Sequence, residues 1–440
     1  MLQTLRNAWK IVDLRKKILF TLLIVLIFRI GSAISVPFVD VEAVKNATAG
    51  STSEIMNFLT LMSGGGFSNA SIFALSIQPY INASIIIQLL TVAIPALERL
   101  SKEGEAGRKK LSQLTRYCTV ALGLLLGVAY YFMVRNNYKA LVTEAQSGFA
   151  GVFAGVTIVL CFAAGSALMM WLGEQINEKG IGNGISILLF AGIISRLPNA
   201  LMTLWGYFSG GISLLQNGDA KQGIWYIALV FIILALFLAM IGFIVLITDA
   251  ERRIPVQYAK RVVGRKMYGG QSTFIPIKVN MSGVMPIILA VSIVQLPSII
   301  KQLFGLKDNA FFRLFAYNSW LYVVLYFLMI IGFAFFYVTI QYNPVEMANN
   351  LRKNSGAIPG YRPGKPTSDY INRVLKKITF IGALFLGLIA LFPTLFGMAT
   401  GVYGLSLGGT SIMIVVSVAL ETTQQIESQM MMRHYKGFLE

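Results

Sequence analysis

Residues 57–94 read NFLTLMSGGGFSNASIFALSIQPYINASIIIQLLTVAI, and this stretch decides the fold because it is a long apolar segment with a break inside it. Its first piece, residues 57–62, is far too short to cross the roughly 30 Å of hydrocarbon in a bilayer. Three glycines, residues 64–66, end that piece before a second apolar run begins at Ile72. Backbone without helical hydrogen bonds is tolerated at membrane depth only where it is buried in protein or borders a water-filled cavity. The stretch therefore predicts a half-helix, an unwound turn and a pore or cavity beside them.

The composition is typical of a polytopic membrane protein. Of 440 residues, 56% are hydrophobic and only 13% are charged, and the mean hydropathy is +0.68. The net charge of +18 suggests nucleic-acid binding at first sight, but the Lys and Arg residues lie in short connections between apolar runs. In such connections they set orientation and contact lipid or partners, which favours a membrane role over DNA binding. Cys118 and Cys161 lie in or beside apolar segments, which excludes a disulfide framework and a cysteine-based zinc site.

Apolar runs of about 20 residues predict ten membrane-spanning helices. The runs are 18–36, 72–94, 117–134, 149–172, 185–208, 224–247, 284–300, 321–340, 378–396 and 402–420. Because ten is an even number, both termini lie on the same side of the membrane, and the basic residues decide which side that is. The N-terminal segment, the alternate loops and the tail at 421–440 hold 28 Lys and Arg residues, against 8 on the other side, one of which is Arg196 within the fifth run. Both termini are therefore expected in the cytoplasm.

The ten spans divide into two groups of five. Two halves with odd numbers of spans have opposite orientations, which is the arrangement of an inverted repeat with a pore or site between the halves. The two halves show no convincing sequence repeat, so the inverted repeat is inferred from the number of spans alone. We predict helices 1–4 in residues 1–172, helix 5 and the connection between the halves in 173–223, helices 6–10 in 224–420, and a cytoplasmic tail in 421–440.

Two cytoplasmic loops are longer than a compact bundle needs, and both are basic. Residues 248–283 alternate apolar and polar positions in a pattern typical of a protruding hairpin. Residues 341–377 contain the sequence Pro-Gly-Tyr-Arg-Pro-Gly, in which prolines and glycines stiffen the turn that presents Arg362. Most lysines of this loop are interpreted as solvated charges that follow the positive-inside rule, whereas Arg362 indicates a docking surface.

The sequence lacks the residues that a catalytic site within the membrane would need. The single histidine, His434, lies in the tail, so no Ser-His or Cys-His pair and no His-rich metal site can form within the spans. The spans contain no interior Asp or Glu, the usual relay of an ion-coupled transporter, although unwound carbonyls can bind sodium. Arg29 and Arg196 lie toward the extracytoplasmic ends of their runs, where snorkelling to the interface is expected. We predict no catalytic residue, no metal and no cofactor.

An aliphatic stripe marks the second span. Ile77, Ile81 and Ile85 lie at i, i+4 and i+8, on one face of a helix. Such a stripe is usually ordinary helix packing, but the broken helix beside it favours a pore lining. Branched aliphatic side chains from several helices would exclude water and ions, and they could separate without breaking polar contacts. A gate of this kind suits a large, variable substrate.

Six motifs resemble those of the bacterial SecY family, in the same order and over essentially the whole chain. They are SIFALSIQPYINASIIIQLLT (71–91), KEGEAGRKKLSQLTRY (102–117), WLGEQINEKGIGNGISI (171–187), ERRIPVQYAKR (251–261), QSTFIPIKVNMSGVMP (271–286) and PGYRPG (359–364). The resemblance implies an all-α polytopic fold in which two inverted five-helix halves form a clamshell around a central pore. It also implies a protein-conducting channel in the bacterial cytoplasmic membrane. The implied partners are SecE, SecG, the SecA ATPase, the ribosome, membrane lipid and polypeptides that carry signal sequences.

The resemblance further implies roles for individual residues. The pore ring falls on Ile77, Ile81, Ile185, Leu189, Ile288 and Ile414, with Leu189 in place of the isoleucine common there. The plug is a short helix at residues 57–68, with Asn57, Phe58, Leu59, Leu61, Met62, Gly64, Gly65, Gly66 and Phe67 as its named residues. The lateral gate includes Asn82 and Ile85, so Ile85 lies outside the ring. The residues implied to dock the motor and the ribosome are Arg252, Arg253, Lys260, Arg261 and Arg362.

Two other functions stay open from the sequence. A small-solute secondary transporter with a site at the broken helix would show saturable uptake and a pocket with convergent polar groups. A structural scaffold for membrane complexes would show no change in conductance when the plug is removed. The sequence contains no Gly-rich loop with Lys-Ser/Thr, so a polypeptide channel would depend on an external source of energy.

Overall fold

The structure is a computed structural model that describes residues 2–49, 60, 62–137, 140–142, 148–216, 219–258, 261–263, 266–268, 272–304, 312, 314–315, 319–400 and 409–436. The helices, in chain order, are α1 (Leu2–Lys10), α2 (Val12–Gly31), α3 (Val41–Ala49), α4 (Gln78–Ala93), α5 (Pro95–Lys102), α6 (Glu105–Phe132), α7 (Gly148–Lys179), α8 (Gly184–Ile194), α9 (Leu197–Gln216), α10 (Ala220–Asp249), α11 (Met285–Phe304), α12 (Trp320–Gln341), α13 (Pro344–Lys353), α14 (Lys365–Thr400) and α15 (Gly409–Lys436). A short π-helix, Met133–Asn137, follows α6. The strands are β1 (Glu251–Tyr258), β2 (Arg261–Val263), β3 (Lys266–Tyr268), β4 (Ser272–Lys278) and β5 (Gly356–Ala357).

Each of the ten predicted spans overlaps a helix or, for the fifth span, the pair α8 and α9. Within the described residues, six helical stretches are long and apolar enough to cross a membrane. They are α6, α7, the α8–α9 pair, α10, α12 continued by α13, and α14. The bent pair of α4 and α5 would make a seventh. The helices α2, α11 and α15 overlap the other three predicted spans without reaching those limits of length and composition.

The second predicted span, residues 72–94, becomes helical only well inside its apolar run, where α4 begins. Ser76 has a positive φ of 50°, which a right-handed helix does not allow. Pro79 lies in the first turn of α4, where its missing N–H would have no helical partner in any case. At the other end, Ile94 precedes Pro95 and adopts extended backbone, so the chain turns through 103° into α5.

Two compact units make up the chain. The first contains Met1–Ile233, Pro297–Arg313 and Val402–Glu440, and the second contains Leu234–Leu296 and Leu314–Gly401. The last helix, α15, therefore packs within the first unit. The predicted domain boundaries were drawn from the number and orientation of the spans, and they stay a prediction.

The core of the first unit surrounds the chain between α3 and α4. Its buried apolar side chains are Val36, Val39, Val44, Phe67, Ala70, Ala74, Tyr130, Tyr131, Met133, Val134, Ala140, Leu141, Ile158 and Phe162. Tyr130 of α6 lies between two rings, with centroids 4.9 Å from Phe67 and 4.7 Å from Phe162, both edge to face. Such pairs add to the free energy gained from burial alone. This aromatic cluster joins the chain between α3 and α4 to both α6 and α7.

The second unit brings its two predicted loops together in one small sheet. β1 pairs with β4 in antiparallel register, with Ile254 opposite Ile275, which confirms the predicted hairpin. β5, from the other loop, pairs with the far edge of β1 through Gln257 and Ala357. One apolar core underlies both loops, and its buried residues are Ile254, Val256, Ile277, Met281, Val338, Leu351, Ile358, Ile371, Leu375 and Ile378. The two loops therefore form a single folded body, which their separate positions in the sequence do not indicate.

Candidate functional site

Residues 62–77, called the unwound segment from here on, run through the core of the first unit. Turns occupy the chain from Ser63 to Ile77, apart from one bridge between Ser71 and Ser35, in the chain that follows α2. Met62, Phe67 and Ile77 are only 3%, 3% and 1% exposed. Backbone outside a helix must be enclosed by protein or line a cavity at membrane depth, and this burial meets that condition. The predicted break in the second span is therefore confirmed.

Side chains bond to backbone carbonyls of the unwound segment. Ser76 Oγ donates to the Met62 carbonyl oxygen at 3.0 Å, which closes the segment into a loop. Tyr130 Oη donates to the Phe67 carbonyl oxygen at 2.8 Å. Because a buried carbonyl without a partner costs free energy, these bonds specify the path of the loop through the core.

A turn at Gly64 and Gly65 lies beside two arginines. Arg29 Nη1 donates to the Gly64 carbonyl oxygen at 2.8 Å, and Ser195 Oγ lies 3.4 Å from the same oxygen. The Arg196 guanidinium lies beside Gly65, and its Nε is buried with no hydrogen-bond partner in the described residues. The sequence predicts snorkelling for both arginines, but Arg29 binds a backbone carbonyl 35 residues away instead.

Glycine is required at this turn for two separate reasons. Gly64 and Gly65 have φ values of +62° and +91°, in the left-handed region that side chains disfavour. Opposite them, Gly192 of α8 approaches so closely that an added Cβ would lie 2.8 Å from the Met62 carbonyl oxygen. The glycines therefore allow the turn and α8 to pack backbone against backbone.

The turn between α7 and α8 fixes the start of α8. The Asn183 side chain accepts a hydrogen bond from the Ile185 N–H at 3.1 Å and so caps the helix. Asn177 Oδ1 accepts from the Gly184 N–H at 2.7 Å. A Cβ on Gly184 would collide with the Gly173 carbonyl oxygen, so glycine lets α8 begin directly against α7. These contacts position the two α8 residues of the predicted ring.

The aliphatic residues predicted to form the ring are Ile77, Ile81, Ile185, Leu189, Ile288 and Ile414. All are buried except Ile185, which is half-buried. Ile77 packs beside Gly173 of α7, together with Leu188. Leu189 and Ile414 lie on α8 and α15, which pack against each other, whereas Ile288 belongs to the second unit. The ring stays a prediction, because contacts within one unit do not test it.

The Pro-Gly-Tyr-Arg-Pro-Gly turn presents an exposed arginine on a constrained backbone. Gly360 has a φ of +84°, which favours glycine there. Thr367 Oγ1 donates to the Arg362 carbonyl oxygen at 2.8 Å and ties the turn to the first turn of α14. The ring of Tyr361 lies 4.3 Å from that of Tyr370. Arg362 itself is exposed, so the predicted stiff turn is present and its guanidinium faces outward.

The arginines of β1 have different environments. Arg253 Nε donates to Glu251 Oε1 at 2.6 Å, and its guanidinium carbon lies 4.6 Å from the centroid of the Phe274 ring. Arg253 is therefore engaged within the hairpin by an ion pair and a cation–π contact. Arg252, its neighbour, is exposed.

A family model described as SecY matches residues 71–423. The chain belongs to the SecY family. Protein translocase subunit SecY of Streptomyces galbus is 43% identical to it over 463 residues, covering 100% of both chains. The same subunit of Mycobacterium tuberculosis strain H37Rv is 42% identical over 462 residues, again with 100% of both chains covered. As a SecY-family protein, the chain is a multi-pass channel subunit of a protein translocase and not an enzyme.

Solved structures of SecY-type channels share the fold. One, described as a protein-conducting channel, has a TM-score of 0.64 at 20% identity and covers 94% of this chain and 92% of its own. A second SecY structure, with the same TM-score at 18% identity and the same coverage, is described as one whose plug domain stabilises the closed state and maintains a membrane seal. Sec61 in a canine ribosome-channel complex has a TM-score of 0.58 at 18% identity, also with 94% and 92% covered. These likenesses confirm the predicted all-α, ten-helix polytopic fold.

Only part of the predicted SecY plug lies within the described residues. Met62, Gly64, Gly65, Gly66 and Phe67 belong to the buried unwound segment. Asn57, Phe58, Leu59 and Leu61 lie outside the described residues. The predicted plug helix at 57–68 does not extend to its predicted end, because turns replace helix from Ser63, just before the three glycines.

The predicted gate and docking residues stay predictions as well. Asn82 is half-buried and Ile85 is buried, both on α4. Lys260 lies outside the described residues, and for Arg261 only the backbone, at the start of β2, is described.

Sequence reasoning missed the residues that hold the unwound segment. Ser76 and Tyr130 each donate to one of its carbonyls. Ser195 Oγ donates to the Gly192 carbonyl at 2.7 Å and lies 3.4 Å from the Gly64 carbonyl. None of these three residues has a role predicted from the sequence. Polar residues inside apolar runs are the sequence signal that could have pointed to these contacts. The clearest example is the pair Ser195 and Arg196, which interrupts the apolar run 185–208.

Proposed function

We propose that the chain forms the passage through which unfolded secretory polypeptides cross the bacterial cytoplasmic membrane, and that it releases apolar helices sideways into lipid. The observation that best supports this is the unwound segment, buried among α2, α6 and α8 in a protein of the SecY family. It occupies the interior of the first unit without being part of a helical span. Such a segment can close a passage and later leave it while the spans remain in place.

In this proposal the seal has two layers. The first is the plug, residues 57–68, whose described part is the beginning of the unwound segment. The second is the ring of Ile77, Ile81, Ile185, Leu189, Ile288 and Ile414, which would exclude water through aliphatic side chains alone. Asn82 and Ile85 would line the lateral gate on α4.

The energy for transport would come from SecA or a translating ribosome. Their proposed docking residues are Arg252, Arg253, Lys260, Arg261 and Arg362. The common sheet of β1, β4 and β5 supports this assignment, because it joins both basic loops into one body. A related channel, Sec61, is described in complex with a ribosome. SecE and SecG would complete the translocon, and the excess of basic residues favours cytoplasmic termini.

A small-solute transporter is the main alternative, but the spans contain few groups that could bind a solute or a coupling ion. Its usual requirement is an intramembrane carboxylate, and the spans contain no interior Asp or Glu. The backbone carbonyls of the unwound segment are the remaining candidates for cation binding, but those of Met62, Gly64 and Phe67 already accept hydrogen bonds from side chains.

Reconstitution tests the proposed function. We expect vesicles that contain the chain with SecE to import a secretory precursor when SecA and ATP are added outside, and to stop when ATP is withheld. Protection of the precursor from added protease measures the import. Vesicles with SecE alone are the control. Saturable uptake of a small solute by the chain, with no protected precursor, would contradict the channel function and favour the transporter function.

A further inference from the structure

The unwound segment is attached to the first unit in two different ways. At one end, the Val36 N–H donates to the Ala70 carbonyl at 2.9 Å and the Ile72 N–H to the Ile34 carbonyl at 3.0 Å. These backbone bonds fasten the segment to the chain that follows α2. For residues 62–67, by contrast, the backbone bonds that the structure describes stay within residues 60–71. Among the described residues, the part around Gly64 is therefore attached to the rest of the unit through side chains.

Side chains from two helices meet at the Gly64 carbonyl. Arg29, in the last turn of α2, donates to it at 2.8 Å, and Ser195, directly after α8, lies at the longer distance of 3.4 Å. A charged donor at short distance makes a stronger hydrogen bond than a neutral donor at long distance. Arg29 is therefore the principal contact, and the Arg196 guanidinium adds a second positive charge beside the turn.

The end of α2 that carries Arg29 is itself fixed against the unwound segment. The Phe28 ring stacks on the Phe73 ring with centroids 6.2 Å apart. Gly31 packs against the same ring so closely that an added Cβ would collide with it. Arg29 thus reaches Gly64 from a rigid base, which lowers the entropy lost in holding its guanidinium there.

We infer that Arg29 is a latch residue, whose hydrogen bond to the Gly64 carbonyl holds the plug turn in its seated position and sets how often the resting channel opens. This inference rests on the proposed plug role of residues 57–68. Forming a hydrogen bond exchanges one set of polar contacts for another, so the net gain from the bond between Arg29 and the Gly64 carbonyl is modest. A modest gain suits a latch, because the turn must stay seated at rest and still release when a polypeptide enters.

Two other roles for Arg29 must be separated from this one. A cation in the last turn of a helix stabilises that helix through the macrodipole, and a snorkelling arginine anchors a span at the interface. Both roles predict effects on folding or insertion that do not depend on whether the plug is present. A latch acts only through the plug.

The test measures resting ion leak in vesicles for Arg29→Leu in two backgrounds, the full chain and a chain that lacks residues 57–68. In the full chain we expect the leak to rise about tenfold, the effect of losing one hydrogen bond to a charged group. Arg29→Lys keeps a charged donor and should restore part of the seal. We expect the plug-deleted chain to leak by itself, and Arg29→Leu should add nothing there, because residues that act through one contact are not additive.

Arg135→Leu is the matched control, since Arg135 is another exposed arginine on the same predicted side and bonds to Tyr131 rather than to the plug turn. It should leave the leak unchanged in both backgrounds. An equal rise for Arg29→Leu in both backgrounds, or no rise in the full chain at normal insertion, would overturn the latch. A plug deletion that fails to leak would instead count against the proposed channel, so the two failures are distinguishable.

Discussion

Replacing Arg362 by Glu is expected to abolish SecA-driven translocation, with a fall of roughly thirtyfold or more in rate, the size of an interface hot spot. The exposed guanidinium stands on a turn that Thr367 and the Tyr361–Tyr370 contact hold in place. A pre-formed turn loses little entropy when it binds, and a planar, five-donor group matches carboxylate or carbonyl oxygens on a partner. Reversal of the charge would remove these bonds and repel the same surface.

Two variants separate docking from simple loop charge. Arg362→Lys keeps the charge but loses the forked geometry, so it should impair translocation only partly. Lys365→Glu makes the same change of charge three positions along the loop, at another exposed residue, and should have a much smaller effect. The measurement is ATP-dependent import into vesicles with equal amounts of each variant. Equal losses for Arg362→Glu and Lys365→Glu would show that only the net charge of the loop matters.

The second large effect is expected at the ring. Replacing Ile81 and Ile288 together by Ser should leave membrane insertion intact and raise the resting ion leak strongly, because small polar side chains let water enter an aliphatic constriction. Single-channel conductance in a planar bilayer measures the leak.

The matched control for the ring replaces Ile87 and Ile287, which lie on the same two helices and are equally buried but outside the predicted ring. These substitutions carry a similar cost of polar burial without touching the constriction, so the leak should stay at its resting value. If the ring and control variants leak alike, general loosening of the helices explains the leak and the ring assignment is wrong.

The spans and the break could be predicted because their signals are local. A run of about 20 apolar residues has the length of a span, and Gly64–Gly66 interrupts one such run. The start of α4 was harder to place, since the apolar run gives no sign that Ser76 adopts a positive φ. The alternation of apolar and polar residues in 248–283 predicted the hairpin of β1 and β4. Its pairing with β5 could not be predicted in this way, because it joins residues about a hundred positions apart in the sequence.

The contacts that hold the unwound segment could not be predicted for the same reason. Arg29 and Ser195 lie 35 and 131 residues from Gly64, so no periodicity or motif spacing connects them. A basic residue near the end of an apolar run is typical of snorkelling, and the same pattern fits an arginine that binds the Gly64 carbonyl. Only the folded chain distinguishes the two.

The central claim is that a polypeptide in transit passes through the interior of this chain, and crosslinking from a stalled precursor tests it most directly. Cys118 and Cys161 are first replaced by Ala, and a single cysteine is then placed at Ile81 or at Leu238 of α10, which is 68% exposed. A precursor that carries one cysteine is arrested midway by a folded C-terminal domain. We predict an ATP- and SecA-dependent disulfide to the cysteine at position 81 and none to the cysteine at position 238. Import of the precursor without any adduct at position 81, or equal adducts at both positions, would contradict a path through the chain.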